Sequence, residues 1–303
     1  MIVDMLDTST TAVNKKLDEV REKLGAITMG RVGTLIIASD NDAMVEESID
    51  AANAASHEHP TRVLAVTTGD ADAHDARLDA QVRAGSDTAA GEIVVLRLSG
   101  PLAGHSDSVV TPFLLPDIPV TVWWPDIAPA VPAQDPLGKL AIRRITDATN
   151  SDDPLSAIKS RLPGYTAGDT DLAWARITYW RALLTSAVDQ KPHEQIESAL
   201  VSGLRTEPAL DVLAGWLASR IDGPVRRVVG ALKVELERKT ETITLSRPQE
   251  GTTATLSRTG RPEALVPLAR RETRECLAED MRRLDADEIY FAALEGIDKV
   301  QYK

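Results

Sequence analysis

The chain has little cysteine, few aromatic residues and no long apolar run. Cys276 is the only cysteine among 303 residues, so no disulfide can form within the chain. No apolar stretch approaches the ~20 residues that a membrane-spanning helix needs, and the N-terminus lacks the basic and apolar segments of a signal peptide. We therefore expect a soluble protein of the reducing cytoplasm.

The sequence has fewer basic than acidic residues, 34 against 46. The formal net charge is -12, and the sequence pI is about 5.0. Binding to nucleic acid needs a basic face that displaces counterions from phosphates, and anionic membranes likewise attract basic surfaces. The charge balance argues against both kinds of partner. The composition, with 43% hydrophobic and 26% charged residues, is that of a globular protein, and the length favours two domains.

Strands and helices alternate in the first half of the sequence. An amphipathic helix is predicted over residues 8–24, and a second helix, capped by Asp40 or Asp42, lies between the predicted strands RVGTLIIAS and TRVLAVTTGD. Further strands are predicted at LDAQVRAG, EIVVLRLSG, PVTVWWP and RRITDA. This alternation predicts an α/β domain with a largely parallel, open sheet over residues 1–162.

The second half has a different pattern. Helices are predicted at 170–188, at 207–220 with Thr206 as the N-cap, at 271–284 and at 285–297. Between them, apolar and polar residues alternate in segments such as KVELER and ETITLSRP, and short polar turns such as PQEGT join consecutive strands. We therefore expect residues 163–303 to form an α+β domain with antiparallel strands.

The motifs typical of enzymes are incomplete. The glycines of GAITMGRVG, residues 25–33, precede a predicted strand, whereas a dinucleotide fingerprint follows one, so a turn is the better interpretation. GHSDS lacks the last glycine of a nucleophile elbow, which favours helix capping by Ser106 or Asp107. His57 and His59 have the wrong spacing for metal ligands on one helical face. We expect no catalytic residue, no cofactor and no metal.

The loops that follow parallel strands meet at one edge of a sheet. This rule groups several polar and aromatic residues into one crevice: Ser39, Asp40, Thr67, Thr68, residues 100–105, Trp123, Trp124 and Asp126. Two interpretations of the tryptophans stay open. They anchor a ligand or a partner, or one enters the core while its neighbour covers the edge, because adjacent strand residues face opposite sides.

The segment DLAWARITYWR, residues 171–181, concentrates aromatic residues in a chain that is only 4% aromatic. Apolar residues surround nearly the whole predicted helix, which indicates that the helix and its tryptophans are buried. Arg176 and Arg181 then need carboxylates, a ligand phosphate or a route to solvent. Together with Trp180, they are candidates for contact with a partner or a ligand.

Several blocks in order along the chain resemble the OpcA family, in its actinobacterial branch. They are IVDMLDTSTTAVNKKLDEVRE, ASHEHPTRVLAV, LPDIPVTVWWP, DPLGKLAIRRITDA and DLAWARITYWR. Members are glucose-6-phosphate dehydrogenase assembly proteins of actinobacteria and cyanobacteria. The resemblance implies a non-catalytic protein that binds this dehydrogenase and promotes its oligomeric assembly or activity. It also implies control of oxidative pentose phosphate flux and of the NADPH supply.

The resemblance leaves the binding residues and the regulation open. Redox control in cyanobacterial relatives depends on cysteines, and Cys276 alone excludes an internal dithiol switch. No binding motif of the family transfers residue by residue, so the interface candidates Trp123, Trp124, Asp126, Arg176, Trp180 and Arg181 depend on residue type and predicted position. An alternative is a sensor or enzyme that binds a sugar phosphate in the crevice, with Arg176 or Arg181 on the phosphate. A purely structural scaffold is a third.

Overall fold

A computed structural model describes residues 1–24, 32–84 and 90–303. The chain forms two compact units, each built from several segments. Unit 1 comprises Met1–Thr146, Thr166–Asp169 and Thr273–Ala286, and unit 2 comprises Asp147–Tyr165, Thr170–Glu272 and Asp287–Lys303. The boundary expected at residue 162 gives each domain one continuous segment, and it stays a prediction.

The sheet of unit 1 is mixed and largely parallel. Its strands are β1 (Ile2–Met5), β2 (Gly33–Ala38), β3 (Thr61–Thr68), β4 (Arg77–Ala84), β5 (Glu92–Ser99), β6 (Val120–Trp124), β7 (Arg143–Thr146) and β8 (Asp169–Asp171), which begins in this unit. The spatial order is β1-β4-β5-β3-β2-β6-β7-β8. Strands β5, β3, β2, β6 and β7 are parallel, which confirms the predicted sheet, while β4 pairs antiparallel with both β5 and β1.

Helices cover both faces of this sheet, as buried parallel strands require. They are α1 (Thr10–Leu24), α2 (Asp42–Ala55), α3 (Ser106–Val110) and α8 (Thr273–Met281). Val13 and Leu17 of α1 join the apolar cluster that includes Leu64 and Leu96, whereas α2 packs on β2, β3 and α8. The cap of α2 is Asn41, whose side chain accepts hydrogen bonds from two backbone N–H groups, so the prediction of an aspartate cap is wrong.

The sheet of unit 2 combines an antiparallel meander with parallel pairs. Its strands are β9 (Ile196–Gly203), β10 (Val225–Val229), β11 (Lys233–Arg238), β12 (Thr242–Ser246), β13 (Thr253–Arg258), β14 (Ala264–Pro267) and β15 (Gln301–Tyr302), in the order β14-β13-β12-β11-β9-β10-β15. The antiparallel pairing of β11 to β14 confirms the prediction. Parallel pairing of β10 with β9 and β15 was not expected.

The parallel pairs have a topological cause, because parallel strands need a crossover connection. The helices of unit 2 are α4 (Pro154–Lys159), α5 (Leu172–Arg176), α6 (Thr178–Val188), α7 (Pro208–Ala218) and α9 (Glu288–Ile297). Helix α7 links β9 to β10, and α9 precedes β15. The two helices pack closely at glycines, since a Cβ on Gly296 would lie 2.0 Å from the carbonyl oxygen of Gly215.

Two details of the predicted helices in unit 2 are wrong. The helix expected over 170–188 is broken at Ile177, whose backbone angles are φ -98° and ψ 7°. The N-cap of α7 is Glu207 rather than Thr206, because Pro208 occupies the first turn and Glu207 takes the extended conformation before it. Among the helices of the described ranges, none combines the length and apolar character that crossing a bilayer requires.

Candidate functional site

A cavity of about 610 Å³ lies in unit 1, at the carboxyl edge of its parallel strands. We call it the acidic cavity. The loops after β2, β3, β5 and β6 supply its polar and aromatic lining residues: Ser39, Asp40, Asn41, Thr68, Ser106, Trp124, Asp126 and Asp135. The structure thus brings together most of the residues that the strand-end rule grouped, although Thr67 and Trp123 are not in the lining.

Hydrogen bonds hold the side chains of this cavity in place. The Ser39 hydroxyl donates to Oδ2 of Asp126 at 2.7 Å and accepts from the backbone N–H of Asn41 at 3.1 Å. The Thr68 hydroxyl bonds Oδ1 of Asp40. Oδ1 of Asp126 is buried and has no hydrogen-bond partner within the described residues. The cavity therefore presents a carboxylate oxygen with unused acceptor capacity.

The charge of the acidic cavity has one sign. Asp40, Asp126 and Asp135 line it, and within the part of the chain that the structure describes no Lys, Arg or His side chain does. Backbone N–H groups of Leu137 and Gly138 bond Asp135 at 2.9 and 3.2 Å. A lining of carboxylates repels phosphate and attracts cations or neutral hydroxyl-bearing molecules.

The two adjacent tryptophans of β6 face opposite sides of the sheet. Trp124 is 4% exposed and lines the acidic cavity, and Trp123 is 1% exposed. Both side chains are therefore buried within their own chain. The large apolar residue exposed here is Ile127, directly after Asp126, with 86% of its surface accessible. A partner role for Trp123, Trp124 and Asp126 stays a prediction.

A second, smaller cavity of about 50 Å³ lies in unit 2. We call it the arginine cleft, because its charged lining residues are four arginines and a glutamate: Arg176, Arg247, Arg270, Arg271 and Glu207. Its walls include Ile177, Trp180, Leu210 and Leu232. Two predicted site residues, Arg176 and Trp180, therefore meet here, while Arg181 is not in the lining.

Three of the arginines have defined partners. Nη1 and Nη2 of Arg176 donate to the two carboxylate oxygens of Asp147 at 2.8 and 2.7 Å, in the bidentate geometry that guanidinium groups favour. Arg270 contacts Glu207 at 3.3 Å. Arg271 donates to the backbone carbonyl of Ala175 at 2.7 Å. These contacts orient the arginines toward one small volume.

Arg247 contacts no carboxylate of the described ranges, unlike Arg176 and Arg270. It is only 6% exposed, and its Nη1 donates to the carbonyl of Leu268 at 2.9 Å. Among the described residues, its Nε has no hydrogen-bond partner and no carboxylate forms an ion pair with its guanidinium group. Burial lowers the pKa of Arg247 from its ordinary value, and the nearby charge of Arg270 adds to this effect while Glu207 opposes it.

The aromatic segment 171–181 is largely core, as its pattern predicts. Trp174 and Trp180 belong to the buried cluster of unit 2, and the indole N–H of Trp174 donates to Asp287 at 2.8 Å. The guanidinium of Arg181 lies 3.4 Å from the centroid of the Trp174 ring. Tyr179 is the exposed aromatic residue of the segment, with half of its surface accessible.

Sequence reasoning missed Tyr179 and Arg247. Helical spacing could have found Tyr179, because it lies off the row formed by Ile177, Trp180 and Leu184. Arg247 follows the apolar alternation of β12, and nothing in the local sequence shows that it is buried without a carboxylate.

The residues considered for enzyme chemistry take other positions. Ser106 is the first residue of α3 and lines the acidic cavity, while His105 occupies the N-cap without a side-chain bond, so the predicted capping by Ser106 or Asp107 is wrong. The cause is the 3-10 turn Gly100–His105, which runs directly into α3. Residues 25–31, where a turn was predicted, lie outside the described residues. In the described ranges, no three His, Cys, Asp or Glu side chains are grouped to hold a metal.

Comparison with solved structures gives only distant similarity. An aldose-aldose oxidoreductase from Caulobacter crescentus complexed with glycerol is 10% identical, covers 88% of this chain and 96% of its own, and has a TM-score of 0.46. A structure described as trehalose-6-phosphate from E. coli bound with UDP-2-fluoro glucose is 8% identical, covers 65% and 64%, and has a TM-score of 0.28. Both scores are too low to carry an argument. No curated protein matches the chain.

Family comparison is specific. The family described as the glucose-6-phosphate dehydrogenase subunit N-terminal domain matches residues 52–162, and the corresponding C-terminal domain matches residues 167–294. The two matches follow each other in the expected order and together span most of the chain. The chain therefore belongs to the OpcA family of glucose-6-phosphate dehydrogenase assembly proteins.

Proposed function

We propose that this chain is a non-catalytic assembly factor and allosteric activator, which binds glucose-6-phosphate dehydrogenase in the cytoplasm and promotes its active oligomer. The observation that carries the proposal is the pair of ordered family matches, over residues 52–162 and 167–294, both described as parts of a glucose-6-phosphate dehydrogenase subunit. Control of oxidative pentose phosphate flux and of the NADPH supply follows from that binding.

Activation requires a difference in affinity. A binding protein shifts a target toward its active form only by binding that form more tightly than the inactive one. Each tenfold change in the ratio of the two forms needs about 1.4 kcal/mol of that difference. An assembly factor obtains this energy from contacts that exist only in the assembled dehydrogenase.

Two surfaces are our candidates for these contacts. Ile127 exposes most of its side chain beside Asp126, and Tyr179 exposes half of its surface between Thr178 and Trp180. Both have the composition of interface anchors, a large apolar or aromatic group next to a charged or hydrogen-bonding one. The predicted interface residues Trp123, Trp124, Arg176, Trp180 and Arg181 lie close in sequence to Ile127 or Tyr179 and stay candidates for contact with the dehydrogenase.

The proposal is tested by mixing the purified chain with its dehydrogenase. We expect co-elution, a larger oligomer and faster NADP reduction or a lower KM for glucose 6-phosphate. Absence of co-elution together with unchanged kinetics contradicts the proposal. A larger oligomer with unchanged kinetics supports the scaffold alternative instead.

Variants locate the contact surface. Ile127→Asp and Tyr179→Ala each remove an exposed anchor, so each is expected to weaken the complex by tenfold or more, since anchor residues carry about 2 kcal/mol or more. Leu284→Asp is the matched control, because Leu284 is also an exposed aliphatic residue of unit 1. Equal losses for Ile127→Asp and Leu284→Asp in a pull-down titration contradict the assignment of the Ile127 surface.

The alternative is a sensor or enzyme that binds a sugar phosphate in the strand-end crevice. Charge argues against this location, because the acidic cavity carries three aspartates. Thermal-shift measurements with glucose 6-phosphate, 6-phosphogluconate and NADP test it. Stabilisation that is lost in a Ser39→Ala variant supports a sensor at this cavity, and turnover without the dehydrogenase supports an enzyme.

A further inference from the structure

We propose that the arginine cleft of unit 2 binds a small anion that carries a phosphate group, with Arg247 as the residue that pairs with its charge. This site is separate from the strand-end crevice and is not needed for the assembly role proposed above. Ligands of this class include inorganic phosphate and phosphate monoesters.

Arg247 is buried without a carboxylate partner among the described residues. A buried charge is costly unless it is paired, and proteins therefore pair nearly all of them. Other buried arginines of this chain follow the rule and contact a carboxylate: Arg62, Arg143, Arg144, Arg227, Arg238 and Arg258. Arg247 is equally buried. The charges of Glu207 and Glu250 raise its pKa, but neither carboxylate forms an ion pair with it.

Three further guanidinium groups line the same small volume. Arg176 is held rigidly by Asp147, and Arg271 is fixed by the carbonyl of Ala175. Arg270 is 58% exposed at its side chain, so it can reorient toward a ligand at little cost. Convergent arginines are typical of phosphate sites, because the planar fork of donors matches phosphate oxygens.

The size of the cleft suits a small anion. The cleft has a volume of about 50 Å³, and a cavity needs roughly 10–15 Å³ by this measure to hold one water. It therefore accommodates a few waters or one phosphate group, but not a nucleotide or a peptide segment. Ile177, Trp180 and Leu210 form an apolar wall of the cleft. We place the organic part of a monoester at the mouth of the cleft.

The test uses the full chain without any partner protein. Isothermal titration and thermal unfolding compare inorganic phosphate, a sugar phosphate and sodium chloride at equal ionic strength. We expect both phosphates, but not chloride, to raise Tm with a saturable concentration dependence. A tighter Kd for the sugar phosphate than for inorganic phosphate shows that the organic part contributes.

Arg247→Met removes the charge while keeping much of the side-chain volume, and it is expected to weaken phosphate binding at least tenfold. Arg247→Lys keeps the charge without the fork and is expected to bind with intermediate affinity. Arg220→Met is the matched control, since Arg220 is an exposed arginine of the same unit outside the cleft. It should bind phosphate as the unmodified chain does.

Two results overturn the proposal. In the first, phosphate raises Tm no more than chloride does. Alternatively, Arg247→Met and the unmodified chain bind phosphate with the same Kd. Because no dehydrogenase is present, neither result bears on the assembly role. Should Arg247→Met fail to fold, the Arg247→Lys variant and the Arg220→Met control still decide the question.

Discussion

The cavities of the two units carry opposite charge. The acidic cavity of unit 1 is lined by Asp40, Asp126 and Asp135, and the arginine cleft of unit 2 by four arginines and Glu207. A net charge of -12 excludes neither, because it is a sum over the whole chain. The net charge argues against binding to nucleic acid, but it does not decide what a local site binds.

Buried arginines of both units pair with carboxylates, and Arg247 of unit 2 is an exception within the described residues. In unit 1, Arg143 is buried and donates to Asp280 at 2.8 Å, and its Nη1 bonds the carbonyl of Asp285 at 3.1 Å. In unit 2, Arg247 donates to the carbonyl of Leu268 and forms no ion pair with a carboxylate of the described residues. In a buried ion pair each charge is compensated within the protein. A buried cation without a carboxylate partner can instead be compensated by an anion that binds from solution.

The largest expected effect tests the buried ion pair of Arg143 and Asp280. Arg143→Met removes the guanidinium group beside the buried carboxylate of Asp280, and burial already raises the pKa of Asp280 in spite of Arg143. We expect the free energy of unfolding to fall by about 3–5 kcal/mol. The double variant Arg143→Met with Asp280→Leu should recover most of this loss. Urea unfolding measures both, and a loss below about 1 kcal/mol for the single variant contradicts the pairing argument.

The next effect concerns pH in unit 2. Burial raises the pKa of Asp211 to about 6, against the opposing charge of Arg227 at 3.2 Å, from an ordinary value of 3.8. Between these two values the folded state holds a proton that the unfolded state releases. Folding is thus favoured at low pH, and this contribution is lost as the pH rises from about 4 to about 6, by at most about 3 kcal/mol.

Asp211→Asn isolates this contribution, because the amide does not titrate. We expect the unmodified chain to lose free energy of unfolding relative to the variant as the pH rises through this range. Chemical denaturation at pH 4.5, 5.5 and 7 provides the values. A difference that is the same at all three pH values contradicts the raised pKa.

A smaller effect compares the two units directly. Asp147→Asn weakens the bidentate contact with Arg176, which should cost about 2 kcal/mol of stability and add positive charge to the arginine cleft. Phosphate should then stabilise this variant more than the unmodified chain. Asp169→Asn is the matched control in unit 1, because Asp169 is the buried partner of Arg144. It should lose similar stability without any added response to phosphate in thermal unfolding.

The local pattern of apolar residues was enough to predict the strands in which buried residues are continuous or alternate strictly. The run TRVLAVTT predicted β3 because parallel strands are buried on both faces, and the alternation of Val234, Leu236, Ile243 and Leu245 predicted β11 and β12. The strand-end rule then placed Ser39, Thr68 and Asp126 at one edge. The parallel pairing of β9 with β10 was missed because the helical crossover α7 was not combined with its flanking strands.

The arginine cleft could not be predicted, since its properties depend on contacts far apart in sequence. Arg176 and Asp147 are 29 residues apart, and Arg143 and Asp280 are 137 apart. An arginine that pairs and one that does not, such as Arg143 and Arg247, look alike in the sequence. What differs is the tertiary neighbourhood, and that is supplied by packing rather than by local propensity.

The most direct test of the assembly role is the molar mass of glucose-6-phosphate dehydrogenase, measured by light scattering during a titration with the purified chain. Our account predicts that the mass rises to a plateau at a fixed ratio of the two proteins, with NADP reduction changing over the same range. A mass that equals the sum of two non-interacting species at every ratio contradicts it.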